Sequence, residues 1–476
     1  MVGRFVTVRG RSFLIALVAL VLAGAAPGAN RESEPTARVG AIYFDGWACP
    51  VSNFHFKGLL SGPFAARKPL NGWRDNSVES MRTQLTWAHQ DGIGFFLFDW
   101  YRENVDPCLD IALQNYKSLS DHHGVGFALL LVHNDVFAIS PQEWPAFAER
   151  WVTEDFLNPD YERVDGKPLF VILDTTLFRQ EMGGTPGVNA ALAILRETAE
   201  RHGLPGVFIV GGRYTAYGNI DCFPQCDATD GGPTGLRLER YDALSEYNSA
   251  GTALPRNGAR VYSELVAAVR DEWRRFAQVS PVPWIPSVTD GWDPRPWDER
   301  PFGDLFWFTR TPAELTAFVE DAIAWLRDNP SMHVGAASAP PRVLIEAWNE
   351  LGEGSFVIPT VQDRYAYGRA LASMLGLRWA AGHERRLAMT SNDTEAMGTL
   401  TVLDDWTPCD VASVKIERKL RSKWVTARTT TTRPGGAFAV TVRRSGVYRA
   451  RVSRGPRYGQ TCGPAVSGPV AVRLTR

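Results

Sequence analysis

Glu346, Trp348, Asn349, Glu350 and Glu353 fall within eight residues, so one short stretch offers three carboxylates, an amide and an indole. Paired carboxyls suit general acid–base chemistry, because crowding and burial make one hold its proton while the other ionises. A proton given to a leaving oxygen and another taken from a hydroxyl, side by side, is what cleavage of a glycosidic bond requires. A plainer role is open to the same residues, since acidic side chains near a helix start are stabilised by its dipole. The sequence ahead of them favours chemistry. Val343, Leu344 and Ile345 form an apolar run, bounded by Pro340 and Pro341 upstream and by Gly352 and Gly354 downstream, as in a strand buried on both faces. Polar groups that begin where such a strand ends lie at its C-terminal mouth, the usual active-site position in parallel α/β proteins.

The elements that must position this stretch recur from residue 38 onward. Apolar runs at 39–44, 93–98, 125–132, 169–173, 207–210 and 284–289 read as strands. Helical composition separates them around 77–91, 108–122, 141–158, 190–203, 261–278 and 312–329. A sixth strand is expected within 226–230, with Tyr241-Asp242 and Tyr247-Asn248 as mouth residues. Eight strands alternating with helices over about 340 residues predict a (β/α)8 TIM barrel, an α/β fold. The alternative is an open doubly wound sheet, against which no Gly-x-Gly-x-x-Gly turn follows the first strand.

Just beyond the expected strand ends stand Asp45, Trp47, Asp99, Trp100, Tyr101, His133, Asn134, Asp290, Trp292, Arg295, Trp348, Asn349 and Glu350. Flat aromatic faces against the C–H side of a sugar, with carboxylates and amides for its hydroxyls, make this set a candidate carbohydrate site. Structural readings compete: His133 as a satisfied core histidine, Trp100 and Trp348 as barrel packing. No HExxH or paired-histidine spacing predicts a metal, and no serine sits in a nucleophile elbow.

The run 345–355, Ile-Glu-Ala-Trp-Asn-Glu-Leu-Gly-Glu-Gly-Ser, resembles the Trp-Asn-Glu-Trp-x-Glu-Gly signature of the glycoside hydrolase family 99-like proteins. That group is similar to the endo-α-mannosidases and includes the WbsX-like polysaccharide-locus proteins. Gly-Trp-Asp-Pro-Arg at 291–295 and Ala-Ile-Tyr-Phe-Asp-Gly-Trp at 41–47 match the same group, so the resemblance spans about 38–377. It implies that Glu350 deprotonates a sugar 2-hydroxyl and that Glu353 is the general acid. The implied route is a 1,2-anhydro sugar, with no metal or other cofactor. Leu351 and Ile358 depart from the family's Trp and Glu, which implies an altered subsite wall but leaves both carboxyls in place. Glu346 is an additional carboxylate, expected to partner an arginine.

Composition bounds the rest. The chain has 476 residues, 45% of them apolar, and a formal net charge of -1, so two folded units are expected, with no basic field to hold nucleic acid. Residues 1–29 read as a secretory signal peptide: Arg4, Arg9 and Arg11 precede an apolar run from Phe13 to Leu22 and a small-residue cleavage site. A secreted or otherwise extracytoplasmic protein with no lasting membrane insertion is the expectation. Export permits disulfides among Cys49, Cys108, Cys222, Cys226, Cys409 and Cys462, although spacing alone does not give their connectivity. Cys409 and Cys462, alone in the C-terminal region, are expected to pair. Cys222 with Cys226 closes a small loop, which leaves Cys49 with Cys108.

The domain reading is a catalytic barrel over 35–380, a linker over 381–398 and a small immunoglobulin-like β-sandwich over 399–476, with alternating strands broken by turns such as Pro434-Gly435-Gly436. The functional expectation is a secreted hydrolase acting on an α-linked polysaccharide. Its alternatives are a glycan-binding protein without turnover and a glycosyltransferase of the WbsX-like type.

Overall fold

The computed structural model describes residues 36–474 apart from 49–55, 57, 60–61, 103–106, 214–237, 251–256, 281, 299–300, 302–303, 393 and 405. The expected signal peptide, Cys49, Cys222, Cys226 and the stretch 226–230 lie outside the described residues.

Eight parallel strands form a ring: β1 (Arg38–Tyr43), β2 (Ile93–Trp100), β3 (Gly126–Leu131), β4 (Lys167–Ile172), β5 (Phe208–Gly211), β6 (Ala243–Ser245), β7 in two parts (Trp284–Ile285 and Ser287–Thr289) and β8 (Arg342–Glu346). Each pairs with its successor, and β8 returns to β1 in the register Arg38 with Arg342 and Ala41 with Ile345. β7 is where the ladder breaks. Pro286 has no N–H to give; the first part of β7 pairs with β6 and the second with β8, while Leu344 N donates to the Pro286 carbonyl at 2.9 Å. Every strand therefore has two neighbours, and the chain is a closed (β/α)8 barrel rather than an open sheet. The expected strands agree closely except the sixth, which is the three-residue β6. Tyr247 and Asn248 follow it at the mouth, whereas Tyr241 and Asp242 precede it at the opposite end.

Helices α1 (Val78–Asp91), α2 (Ile111–Lys117), α3 (Trp144–Trp151), α4 (Thr175–Glu181), α5 (Thr185–Arg201), α6 (Tyr262–Val279), α7 (Pro312–Asp328) and α8 (Ala366–Met374) connect the strands and follow the last. Local chemistry sets their starts. Ser77 accepts from Ser80 N ahead of α1, and Thr311 with Glu314 forms a capping box ahead of α7, each satisfying N–H groups that a first turn leaves free. At the N-terminal end of the barrel, Glu162 is gripped by Arg38 and Arg342, which closes the end away from the mouth.

The C-terminal unit is all β. Strands β9 (Arg385–Ser391), β10 (Glu395–Val402) and β13 (Ala437–Thr441) form one antiparallel sheet. Strands β11 (Ser413–Leu420), β12 (Lys423–Thr431), β14 (Gly446–Val452) and β15 (Val470–Val472) belong to another. Leu387, Leu400 and Phe438 from the first share a second core with Ile416, Tyr448 and Val452 from the other. The expected linker over 381–398 contains β9, whose Leu387 and Met389 alternate inward between exposed neighbours; its charged flanks hid a short period-two pattern. Cys409 and Cys462 are bonded, as expected, and Cys108 is disulfide-bonded too. Arg82 pairs with Asp410, and Tyr365 Oη donates to the Tyr458 carbonyl at 2.5 Å, joining this unit to the barrel. Among the described residues no helix is long and apolar enough to cross a membrane.

Candidate active site

The stretch after β8 folds into a tight hairpin, not a helix. Asn349 and Glu350 pair antiparallel with Phe356 and Ser355, and Glu353 N donates to the Glu350 carbonyl at 3.2 Å. Gly354 closes the turn at φ 78°, a left-handed backbone that favours glycine. Two carboxyls three positions apart are thus brought together across a turn, and neither caps a helix.

Glu350 and Glu353 are both buried, and they meet residues from two other strand ends. The Tyr247 hydroxyl, beyond β6, lies 3.1 Å from Asp99 Oδ2 and 3.3 Å from Glu350 Oε1. Burial pushes Glu353 up to about 8. Glu350 is raised well above the usual carboxylate range, first by burial and then by Glu353, Asp99 and Glu346, with the Tyr247 hydrogen bond opposing. Asp99 is raised by burial and by Glu353. Tyr101 faces the same charges: after burial, Asp99, Glu350 and Glu353 push its hydroxyl upward. With its carboxyl raised to about 8, Glu353 holds a proton at neutral pH and is placed to give it up.

Strand geometry explains which expected residues join it. Successive side chains of a strand point to opposite faces, so Asp99 looks into the barrel while Trp100 packs outward on Phe147 and Trp151. Tyr101 turns inward again. Trp348 lies in the helix layer, its Nε1 donating to Gln84 Oε1 at 2.8 Å, and is core. Asn349 accepts from Phe44 N at 2.8 Å and donates to the Phe44 carbonyl at 3.0 Å, splicing the end of β8 onto β1. Trp47 Nε1 donates to the Asn349 carbonyl at 3.0 Å. Asp45 accepts from Ala112 N and Leu113 N at the start of α2. His133 lies 2.8 Å from Glu181, so it is a satisfied core histidine. Asn134 is exposed, and Trp292 is buried beneath the rim.

A rim of arginines holds the hairpin. Arg67 donates to the Leu351 carbonyl at 3.0 Å and the Gly352 carbonyl at 3.4 Å while pairing with Asp293. Arg295 grips Asp293 from the other side and lies over Trp307 at 4.0 Å. Arg310 reaches Asp290 at 3.5 Å and bonds the Phe356 carbonyl. Together they line a cavity of about 280 Å³ on the flank of the turn. Glu346, expected beside an arginine, instead touches Ser355 Oγ at 3.1 Å, and the aspartate that meets Arg310 is Asp290. Ser355 Oγ is 2.8 Å from Asp290, whose carboxyl burial raises to about 7. Sequence reasoning placed Tyr247 at the mouth without a partner and did not single out Arg67 or Arg310. For Tyr247 the signal was its position after a short strand; for the arginines there was none.

A closed (β/α)8 barrel with a proton-bearing carboxyl cluster at its C-terminal mouth defines the class. The chain belongs to the family described as glycosyltransferase WbsX, whose profile matches residues 130–371. Among solved structures it is similar to the family 99 endo-α-mannosidase of Bacteroides thetaiotaomicron, with 16% identity over 71% of this chain and 95% of that one and a TM-score of 0.46. It is also similar to a glycoside hydrolase-like protein, with 15% identity over 75% of this chain and 98% of that one and a TM-score of 0.49. A third is the β-glucosidase of Thermotoga maritima, with 8% identity over 72% and 98% and a TM-score of 0.43. No curated protein matches the chain.

Proposed function

We propose that the protein is an exported glycoside hydrolase that cleaves an α-linked polysaccharide, in the manner of an endo-α-mannosidase. The observation that supports this reading is the pair Glu350 and Glu353, presented by one turn to a buried cluster with Asp99, Tyr101 and Tyr247. Glu353 gives its proton to the leaving oxygen. Glu350 takes the proton of the sugar 2-hydroxyl, whose oxygen closes on the anomeric carbon as the glycosidic bond breaks. Water then opens the 1,2-anhydro ring and both protons return. Burial, and then repulsion from Glu353, Asp99 and Glu346, favours the protonated form of Glu350. A 2-hydroxyl donating to Glu350 supports the ionised form and leaves the proton to Glu353.

The test is a panel of α-mannans, α-glucans and exopolysaccharides, with proton NMR of the first product. Turnover that falls roughly 10²–10⁴-fold in Glu353→Gln and in Glu350→Gln, with the fold intact, supports the assignment. Binding without turnover across the panel rejects it in favour of a glycan-binding role. The family's description as a glycosyltransferase favours a second reading, transfer of a sugar from an activated donor to an acceptor hydroxyl by the same groups. Turnover that appears only when a nucleotide sugar is supplied would establish that reading instead.

A further inference from the structure

The net charge of -1 conceals two opposed halves. Residues 385–476 carry 17 Lys and Arg against 6 Asp and Glu, and residues 1–384 carry 34 against 46. The barrel is therefore acidic and the C-terminal unit strongly basic.

Four of these cations line one cavity. Between the ends of β11 and β13 and the face of β12 lies a cavity of about 310 Å³ lined by Arg418, Arg428, Arg443 and Arg444, with no carboxylate among its lining residues. Arg428, Arg443 and Arg444 enter no ion pair among the described residues; Arg443 and Arg444 are exposed. By contrast Arg449 and Arg451 on β14 both face Glu417. Arg418 is fixed in place: it donates to the Ser445 carbonyl at 2.7 Å, and its buried Nε has no acceptor among the described residues. A side chain at Gly446 would put its Cβ 2.6 Å from that Nε, so glycine makes room for the guanidinium. Leu420 and Val425 line the same cavity and are exposed, adding apolar surface beside the cations.

Unpaired like charges held close together repel one another, and a structure that keeps four in one cavity gains when an anion enters. All four are arginines, whose planar forks match carboxylates in bidentate pairs. Exposed aliphatic side chains beside them suit the C–H faces of a sugar ring. We propose that this cavity binds an acidic polysaccharide through the carboxylates of uronate units, so that the C-terminal unit holds the polymer while the barrel works on it. The choice of a glycan over other polyanions rests on the function proposed above; the binding itself does not.

Retention of the full-length chain by polygalacturonate, measured by affinity electrophoresis and titration calorimetry, tests it without reference to turnover. Binding is expected at about 50 mM salt and should weaken at least about tenfold by 500 mM, because exposed charges are screened. The variant Arg428→Ser/Arg443→Ser/Arg444→Ser should bind at least about tenfold more weakly, whereas Glu353→Gln should bind as the parent does. If the triple variant unfolds, Arg443→Lys and Arg444→Lys keep the charge but lose the fork, and weaker binding in each supports the proposal. No retention at low salt, equal retention by neutral mannan, unchanged binding in the arginine variants, or tighter binding to duplex DNA or phosphatidylglycerol vesicles would each overturn it. Retention of the parent chain without turnover of any glycan in the panel would instead count against the barrel assignment alone.

Discussion

One hydroxyl carries one proton, so Tyr247 donates to Asp99 or to Glu350 at any moment but not to both. The carboxyl left without it gains from being protonated, which couples the site to pH. Removing the hydroxyl in Tyr247→Phe takes away a bond that stabilises ionised Glu350, so its proton affinity rises further. If ionised Glu350 is the base, the acidic limb of kcat/KM should move to higher pH, with a loss of about tenfold near neutrality; an unmoved limb would show that the limb belongs to another group. Asn349 makes a different prediction, since its amide satisfies the buried N–H and carbonyl of Phe44. Asn349→Leu leaves both unpaired and should cost about 2–4 kcal/mol in urea unfolding. The spacing of Glu350 and Glu353 made the pair legible in sequence. The roles of Asn349, Trp47 and Asp45 were not, because a polar residue past a strand end serves a backbone group as readily as a sugar, and only coordinates tell which.

At the scale of elements, barrel strands read well because burial on both faces makes them continuous apolar runs. β6 failed because three residues make no run, and Pro286 gave no warning that one strand would pair on either side of it as two pieces. The hairpin after β8 failed for a related reason: Gly352 and Gly354 signal that a strand ends, but do not say whether a helix or a returning strand follows. What holds that hairpin is Arg67, whose guanidinium serves two turn carbonyls and Asp293 at once. Lysine cannot reach all three acceptors. Arg67→Lys should therefore fold but let the turn shift, lowering kcat at least about tenfold if the barrel is the proposed hydrolase. Arg67→Met, leaving buried carbonyls without a donor, should also lose about 2–4 kcal/mol by chemical unfolding. Parent-like kcat in the lysine variant would mean the turn is rigid without the clamp.

At the scale of the whole molecule, Asp75, Asp91 and Glu353 are carboxyls buried away from cations. Burial raises Asp91 and Glu353 to about 8 and Asp75 to about 7. The folded chain thus holds protons that the unfolded chain has released above roughly pH 4. Stability from these groups is complete below about pH 4 and is lost progressively as pH rises from there to the folded values of about 7 to 8, since over that interval the unfolded state binds fewer protons than the folded one. Asp91 isolates the effect because it is apart from the carboxyl cluster at the barrel mouth: it ends α1, where the helix dipole disfavours a negative charge, and accepts from Trp379 Nε1 at 3.1 Å. Asn in its place keeps that acceptor and removes the ionisation. Asp91→Asn should unfold at the same denaturant concentration as the parent near pH 3.5 and be more stable by over about 1 kcal/mol at pH 8.5. A variant less stable than the parent at pH 8.5 would mean that folded Asp91 is ionised and held by its surroundings, and that the alkaline loss of stability has another source.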